Sequence, residues 1–267
     1  MSLDKDLEYG MKSTVKMIVT DLDGTLLRTD KTISSNTETV MRQCREAGIK
    51  VVYATGRGGS SELVAPTELF DGRITMNGAI AKVGDETVYY RIIPIQTACP
   101  ILTACDKRGI KITSENTGMH YSNFVVSDIW PYVTDFRIVD FSQHRLDTEK
   151  IYVPDPAKDD IAFIKQLLPD DLYFILTADV EGFLGQIMHK DATKALAVAA
   201  LARYWGLSQS EIVAFGDDLN DTDMLSSAGI GVAMGNAHDD VKAASDFICS
   251  SNDSDGLAEW LLSYIDI

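Results

Sequence analysis

Short apolar runs alternate with amphipathic stretches along this chain, most regularly towards its two ends. Val15-Lys16-Met17-Ile18-Val19-Thr20 reads as a buried strand that runs into an acidic turn, Asp21-Leu22-Asp23-Gly24. Residues 36–47 follow with helical spacing, and Gly48 stands where a helix C-cap is expected. A second apolar strand, 49–54, ends at Thr55-Gly56-Arg57. Strand, helix, strand with near-continuous Val and Ile is the pattern of a parallel sheet covered on both faces. The pattern returns late in the chain with helix 192–204, then strand 212–215 leading into Gly216-Asp217-Asp218. A further helix, strand 231–234, helix 239–244, strand 247–249 and helix 257–265 complete it.

The middle reads differently. Strands are predicted at 88–92, 110–113 and 119–124, with a helix at 95–107. Strand 151–153, helix 158–168 and strands 172–177 and 183–188 follow. Asn116-Thr117-Gly118 and Val180-Glu181-Gly182 stand where hairpin turns are needed, which points to an α+β insert rather than more parallel sheet. The predicted organisation is a doubly wound, Rossmann-like α/β core formed by residues 1–83 and 187–267. An inserted α/β domain is predicted at 84–186.

Composition narrows the function classes. Twenty-four Lys and Arg against 40 Asp and Glu leave a net charge of −16, which argues against nucleic-acid or anionic-membrane partners. The longest apolar run, Ala195 to Ala202, is far short of a membrane span. Asp4, Lys5, Asp6 and Glu8 do not fit a secretory leader. Cys44, Cys99, Cys105 and Cys249 lack disulfide or metal spacing and read as reduced thiols. The expectation is a soluble, cytoplasmic protein of undetermined oligomeric state.

Ligands of an open parallel sheet bind outside the carboxyl ends of its strands. Three predicted strands end there in unusual polar clusters: Asp21 to Thr25, Thr55 to Arg57, and Gly216 to Asp221. Singly, such Asp and Gly residues are ordinary turn and cap formers. Together, Asp21, Asp23, Asp217 and Asp221 in one crevice would repel one another without a cation, and an oxygen-rich site of this kind suits Mg²⁺. Lys194 is predicted in the first turn of a helix capped by Asp191. A cation there opposes the helix dipole by about 0.3–1 kcal/mol unless carboxylates or a phosphoryl group surround it.

Asp21-Leu22-Asp23-Gly24-Thr25-Leu26-Leu27 resembles the first motif of the haloacid dehalogenase superfamily of phosphotransferases. Thr55-Gly56-Arg57 resembles its second motif, Lys194 its third, and Gly216-Asp217-Asp218-Leu219-Asn220-Asp221 its fourth. Asn77-Gly78-Ala79 and Ala233-Met234-Gly235-Asn236-Ala237 are similar to segments of its Cof-type branch. The resemblance spans the chain, with two departures. Ala195 follows Lys194 where Gly is common, and Asp218-Leu219 stands where Gly-Glu is more usual. Neither removes a reactive group, and Asp218 adds a charge to which the resemblance gives no role.

The resemblance implies a Mg²⁺-dependent phosphatase acting on a small phosphorylated metabolite, a sugar phosphate or similar phosphomonoester. Asp21 would attack phosphorus, and Asp23 would protonate the leaving oxygen and later activate water. Thr55, the Gly56 N–H, Lys194 and Asn220 would hold the phosphoryl oxygens. The metal would be held by Asp21, the Asp23 carbonyl and Asp217, with Asp221 close by. Residues 24–54 have room for one helix and one strand, whereas 56–193 far exceed what the core needs. That placement resembles the superfamily's type-two cap of the α/β variety, not the helical cap of the β-phosphoglucomutase type. Asp23 disfavours haloalkanoate dehalogenation, since that branch lacks the second Asp. Arg57 is a candidate for electrostatic support of substrate. Thr117, His120 and Glu181 are candidates for leaving-group contacts. A hexose phosphomutase on the same scaffold stays open, as does a phospho-accepting signalling receiver, although receivers are much shorter.

Overall fold

The structure is a computed structural model that describes residues 15–179 and 182–265. The N-terminal lead read against a secretory leader and the turn residues Val180 and Glu181 lie outside the described residues. The chain divides into two compact units, one formed by residues up to Tyr90 and from Thr193 onward, the other by Arg91–Ala192.

The first unit begins with β1 (Met17–Thr20), α1 (Ser35–Glu46), β2 (Lys50–Ala54), β3 (Gly72–Thr75), β4 (Ile80–Val83) and β5 (Glu86–Tyr90). Every residue of β1 is buried, as its unbroken apolar run requires of a strand covered on both faces. Ser34 caps α1 by accepting from the Thr37 N–H, a contact worth about 1 kcal/mol.

The second unit contains α2 (Ile95–Lys107), β6 (Thr113–Asn116), β7 (Met119–Ser122), β8 (Phe136–Ile138), β9 (Lys150–Pro154), α3 (Lys158–Leu167), β10 (Leu172–Asp179) and β11 (Gly182–His189). Its six-stranded sheet has the order β10-β11-β9-β6-β7-β8, antiparallel except between β7 and β8. Ile151, Val153 and Ile187 join Ile101, Leu102 and Cys105 of α2 and Ile164 of α3 in one apolar core.

The chain then returns to the first unit through α4 (Lys194–Tyr204), β12 (Ile212–Gly216), α5 (Thr222–Ser227), β13 (Ile230–Ala233), α6 (Asp239–Ala243), β14 (Phe247–Ile248) and α7 (Gly256–Tyr264). The completed sheet has the order β14-β13-β12-β1-β2-β3-β4-β5. β14 through β3 are parallel, and β4 and β5 close the edge as antiparallel strands. β1 lies between β2 and β12, so the chain order reverses there, the place where such sheets bind ligands.

Several local expectations shift. Residues 84–90, expected in the insert, form most of the β4–β5 hairpin, because Val88 and Tyr89 pack on the first unit's core and Glu86 accepts from the Tyr204 hydroxyl of α4. Residues 187–192, expected in the core, belong to the second unit, since β11 continues to His189. The strand expected at 110–113 starts only at Thr113, where Ile112 has its N–H tied to the Asn123 side chain. β3 and β8 escaped the pattern because each is short and interrupted by arginine.

Candidate active site

Thr20 lies level with Phe215 on one side and Tyr53 on the other, so the loops after β1, β2 and β12 leave the same edge of the sheet. Asp21, Thr55 and Asp217 each lie within one residue of those strand ends. The Asp21 N–H donates to the Phe215 carbonyl, and the Thr25 hydroxyl donates to Asp217 Oδ1 at 2.7 Å. Residues 192 positions apart in sequence are thereby fixed as neighbours.

Lys194 is the centre of this cluster. It is 2% exposed, and its Nζ donates to Asp21 Oδ1 and to Asp221 Oδ1, both at 2.6 Å. The helix cap is Thr193, not Asp191: Thr193 Oγ1 accepts from the Leu196 N–H, and Lys194 is the first residue of α4. The dipole penalty there is offset by two buried carboxylates, so a solvated lysine is excluded. Burial opposes the ammonium charge, yet Asp21 and Asp221 raise its pKa above the ordinary lysine value.

The acids are crowded. Asp21, Asp217 and Asp221 bring carboxylate oxygens within 4.8 Å of one another. Burial, reinforced by Asp221 and Asp217 and opposed by Lys194, pushes the Asp21 carboxyl up to about 8. Burial likewise pushes Asp217 up to about 6, with Asp221 and Asp218 adding repulsion. A divalent cation would reverse these shifts, and the oxygen donors of this cluster suit a hard divalent cation.

Asp221 is fully buried and has both oxygens engaged. Oδ1 accepts from Lys194, while Oδ2 accepts from the N–H groups of Asp217 and Asp218 at 3.1 Å. Asp218 has a local role that sequence reasoning could not assign. Its carboxylate accepts from the Leu219 N–H and caps the short 3₁₀ turn Leu219–Asp221.

The Asp23 side chain stands apart from the acidic cluster. Arg57 grips both of its oxygens, Nε to Oδ2 at 2.5 Å and a terminal nitrogen to Oδ1 at 2.7 Å, and Lys31 Nζ adds a contact at 2.8 Å. Burial alone would raise the Asp23 pKa, but these two cations hold it below the usual carboxylate value. Lys31 was missed in the sequence because only its left-handed backbone, φ 65°, in the turn after Arg28 brings it back to Asp23.

Thr55 is buried, and its Oγ1 accepts from the Arg57 N–H at 3.1 Å. Asn220 donates to the Asn77 side chain at 3.0 Å, so the segment after β3 meets the fourth loop. Asn220 thus lies against the segment after β3, while Lys194, at the start of α4, bonds to Asp221 of the same turn as Asn220.

In the second unit, the face of the sheet opposite the helices carries Thr113, Glu115, His120, Lys150, Tyr152 and Gln186. The Tyr152 hydroxyl donates to Glu115 Oε2 at 2.6 Å, and His120 Nε2 lies 3.7 Å from the same oxygen. Burial pushes the His120 pKa down to about 4, leaving it neutral. Thr117 sits at the β6–β7 turn with φ 50°.

A doubly wound core with an acid-and-lysine cluster at its switch point, plus a second α/β unit, defines a capped phosphotransferase class. The sequence profile of the haloacid dehalogenase-like hydrolases matches residues 18–261, and the chain belongs to that family. It is 27% identical to the 5-amino-6-(5-phospho-D-ribitylamino)uracil phosphatase YitU of Bacillus subtilis, over 96% of this chain and 100% of that protein. It is 30% identical to a putative phosphatase of Haemophilus influenzae, over 91% and 95% of the two chains. Among solved structures, the phosphatase BT1666 of Bacteroides thetaiotaomicron superposes with a TM-score of 0.81 at 25% identity, covering 94% of this chain and 95% of the other. The subclass IIB sugar phosphatase BT4131 gives 0.76 at 28% identity, covering 93% and 98%. The protein is a phosphatase of small phosphorylated metabolites, with the Rossmann-like core and cap of this family.

Proposed function

We propose that the protein hydrolyses a sugar phosphate or similar phosphomonoester through an aspartyl-phosphate on Asp21, with Mg²⁺ as cofactor. The observation that carries this reading is buried Lys194 bridging Asp21 and Asp221 beside Asp217. In the first half-reaction an Asp21 oxygen bonds to phosphorus while the bond to the leaving oxygen breaks and Asp23 protonates that oxygen. In the second, Asp23 takes a proton from water, the water oxygen attacks phosphorus, and Asp21 is released as a carboxylate with inorganic phosphate. Paired with Arg57 and Lys31, Asp23 is in the base form. Loosening that pair raises its proton affinity for the first half-reaction.

Thr55, the Gly56 N–H, Lys194 and Asn220 hold the phosphoryl oxygens, and phosphoryl transfer is chiefly such positioning and charge neutralisation. Mg²⁺ held by Asp21, Asp217 and the Asp23 carbonyl would neutralise charge on the nucleophile and the phosphoryl group. Asp221, whose oxygens are engaged, belongs at the rim of that site and positions Lys194.

The cap, assigned approximately to residues 84–186 in sequence and to 91–192 by compactness, is proposed to choose the leaving group. Glu115, His120, Lys150 and Tyr152, largely buried and with the Tyr152 hydroxyl bonded to Glu115, carry the donors, acceptors and ring through which the cap would act on the leaving group. Four free cysteines and the acidic charge favour a cytoplasmic setting without nucleic-acid or membrane partners. Among the described residues no helix is long and apolar enough to cross a membrane.

Asp21→Asn is expected to abolish p-nitrophenyl phosphate hydrolysis while the circular dichroism stays native, because an amide forms no acyl phosphate. Wild-type-like turnover by that variant overturns the covalent route. Activity is also expected to vanish in EDTA and return with Mg²⁺, with Asp217→Ala needing more Mg²⁺. Undiminished activity in chelated buffer removes the metal.

A further inference from the structure

Three consecutive residues after β3 have left-handed backbones: Met76 at φ 53°, Asn77 at 54° and Gly78 at 100°. Met76 is buried, and a non-glycine residue in this region is held at about 1–3 kcal/mol by its surroundings. Those surroundings are the loops of the active site. The Met76 N–H donates to the Arg57 carbonyl at 2.9 Å and the Asn77 N–H to the Thr55 carbonyl at 3.0 Å, clamping the segment onto Thr55-Gly56-Arg57. A Cβ at Gly78 would lie 2.1 Å from the Thr193 carbonyl oxygen and 2.6 Å from the Lys194 nitrogen, so only glycine lets the segment pass the start of α4. Asn77 Oδ1 accepts from Asn220 Nδ2 at 3.0 Å, and a Cβ at Gly56 would lie 2.8 Å from that same oxygen. One short segment therefore touches the loops that carry Thr55, Gly56, Lys194 and Asn220.

We propose that Asn77 is a positioning residue of the phosphoryl cradle: its side-chain oxygen holds one N–H of the Asn220 amide and aims the other at a phosphoryl oxygen. The proposal rests on the phosphatase reading above. Asparagine tolerates a left-handed backbone by itself, so a turn-forming role explains the residue type at this position. It does not explain the side-chain bond to Asn220. The bond also has a geometric consequence, because the planar amide of an asparagine turns readily about its Cβ–Cγ bond unless one of its polar groups is anchored. With Asn77 in place, Asn220 presents a fixed donor before substrate arrives, and such preorganisation is where electrostatic catalysis gains most.

The test compares Asn77→Gly, which permits the left-handed backbone while deleting the side chain, with Asn220→Ala and the double variant. The readouts are kcat/KM for p-nitrophenyl phosphate and the affinity for inorganic phosphate with Mg²⁺, by calorimetry, on samples with matched melting curves. Asn77→Gly is expected to lose at least about tenfold in kcat/KM and to bind phosphate more weakly. The double variant is expected to be no worse than Asn220→Ala, because residues acting as a unit are non-additive. Losses that multiply, or an Asn77→Gly variant like wild type, overturn the role of Asn77 alone. A wild-type protein that neither hydrolyses the ester nor binds phosphate overturns the phosphatase reading, and this proposal with it.

Discussion

Lys194 shows what a single buried charge does in this molecule. Removed from water, it persists as a cation because two carboxyl groups lie at 2.6 Å, and their mutual repulsion is offset by the same ammonium. The balance is incomplete, since Asp21 and Asp217 remain raised, to about 8 and about 6 from an ordinary 3.8. A carboxyl raised in the folded state contributes stability below its unfolded pKa, and that contribution is lost as pH rises through the folded value. In the metal-free protein the contribution of Asp21 and Asp217 is therefore expected to decline as pH rises from 3.8 towards about 8, opposed between about pH 4 and 6.5 by His120, whose lowered pKa favours the folded state as pH rises. Asp21→Asn, with nothing to ionise at that position, should show a shallower decline, and Mg²⁺ should flatten the wild-type curve. Melting temperatures in EDTA across this range check the sign, and parallel curves for the two proteins would contradict it. Asp218, by contrast, is an acid whose work is local: it caps a turn.

At the scale of elements, strand ends and helix starts place the chemistry. β1, β2 and β12 end level with one another, so a fixed register aligns three loops. The start of α4 adds the fourth group, and there Thr193 matters more than its chemistry suggests. Thr193→Ala should destabilise the protein by about 1 kcal/mol, a fall of roughly 2–4 °C in melting temperature for a chain of this size. Activity should fall further than stability alone explains, because Lys194 begins the helix that Thr193 caps. Calorimetry paired with kcat checks both parts, and a loss of stability without loss of kcat would separate the cap from the site. The apolar runs of β1, β2 and β12 made these elements readable in the sequence. Short strands such as Gly-Arg-Ile-Thr at β3 were not, since they owe their form to a neighbouring strand rather than to their own pattern.

At the scale of the whole molecule, the two units hold contrasting groups: the first an acid-and-lysine cluster at its strand ends, and the second mixed polar and aromatic groups, largely buried, on the sheet face opposite its helices. Groups that bind a moiety shared by all substrates cannot discriminate among them; specificity is a difference in transition-state affinity. His120→Ala and Tyr152→Phe are therefore expected to reorder kcat/KM across a panel of phosphomonoesters, with little effect on acetyl phosphate. Lys194→Ala should depress the whole panel. Uniform losses from the cap variants, or selective losses from Lys194→Ala, would reverse this division of labour.

Most of the core fold, and the loops that bring Asp21, Asp217, Asp221 and Lys194 together, could be read from the sequence, for a physical reason. Buried parallel strands need unbroken apolar runs, and the acids, threonine and lysine directly follow such runs or stand at a helix start, so local pattern marks both. The hairpin β4–β5, the grip of Arg57 and Lys31 on Asp23, the capping role of Asp218 and the bond from Asn220 to Asn77 carry no such mark. The hairpin and the Asp218 cap are local contacts whose side-chain geometry the apolar pattern does not record. The Arg57–Asp23 pair and the Asn220–Asn77 bond depend on which distant segment lies alongside, across 34 and 143 positions. Only the folded chain, through sheet order and strand register, brings those partners within hydrogen-bonding distance.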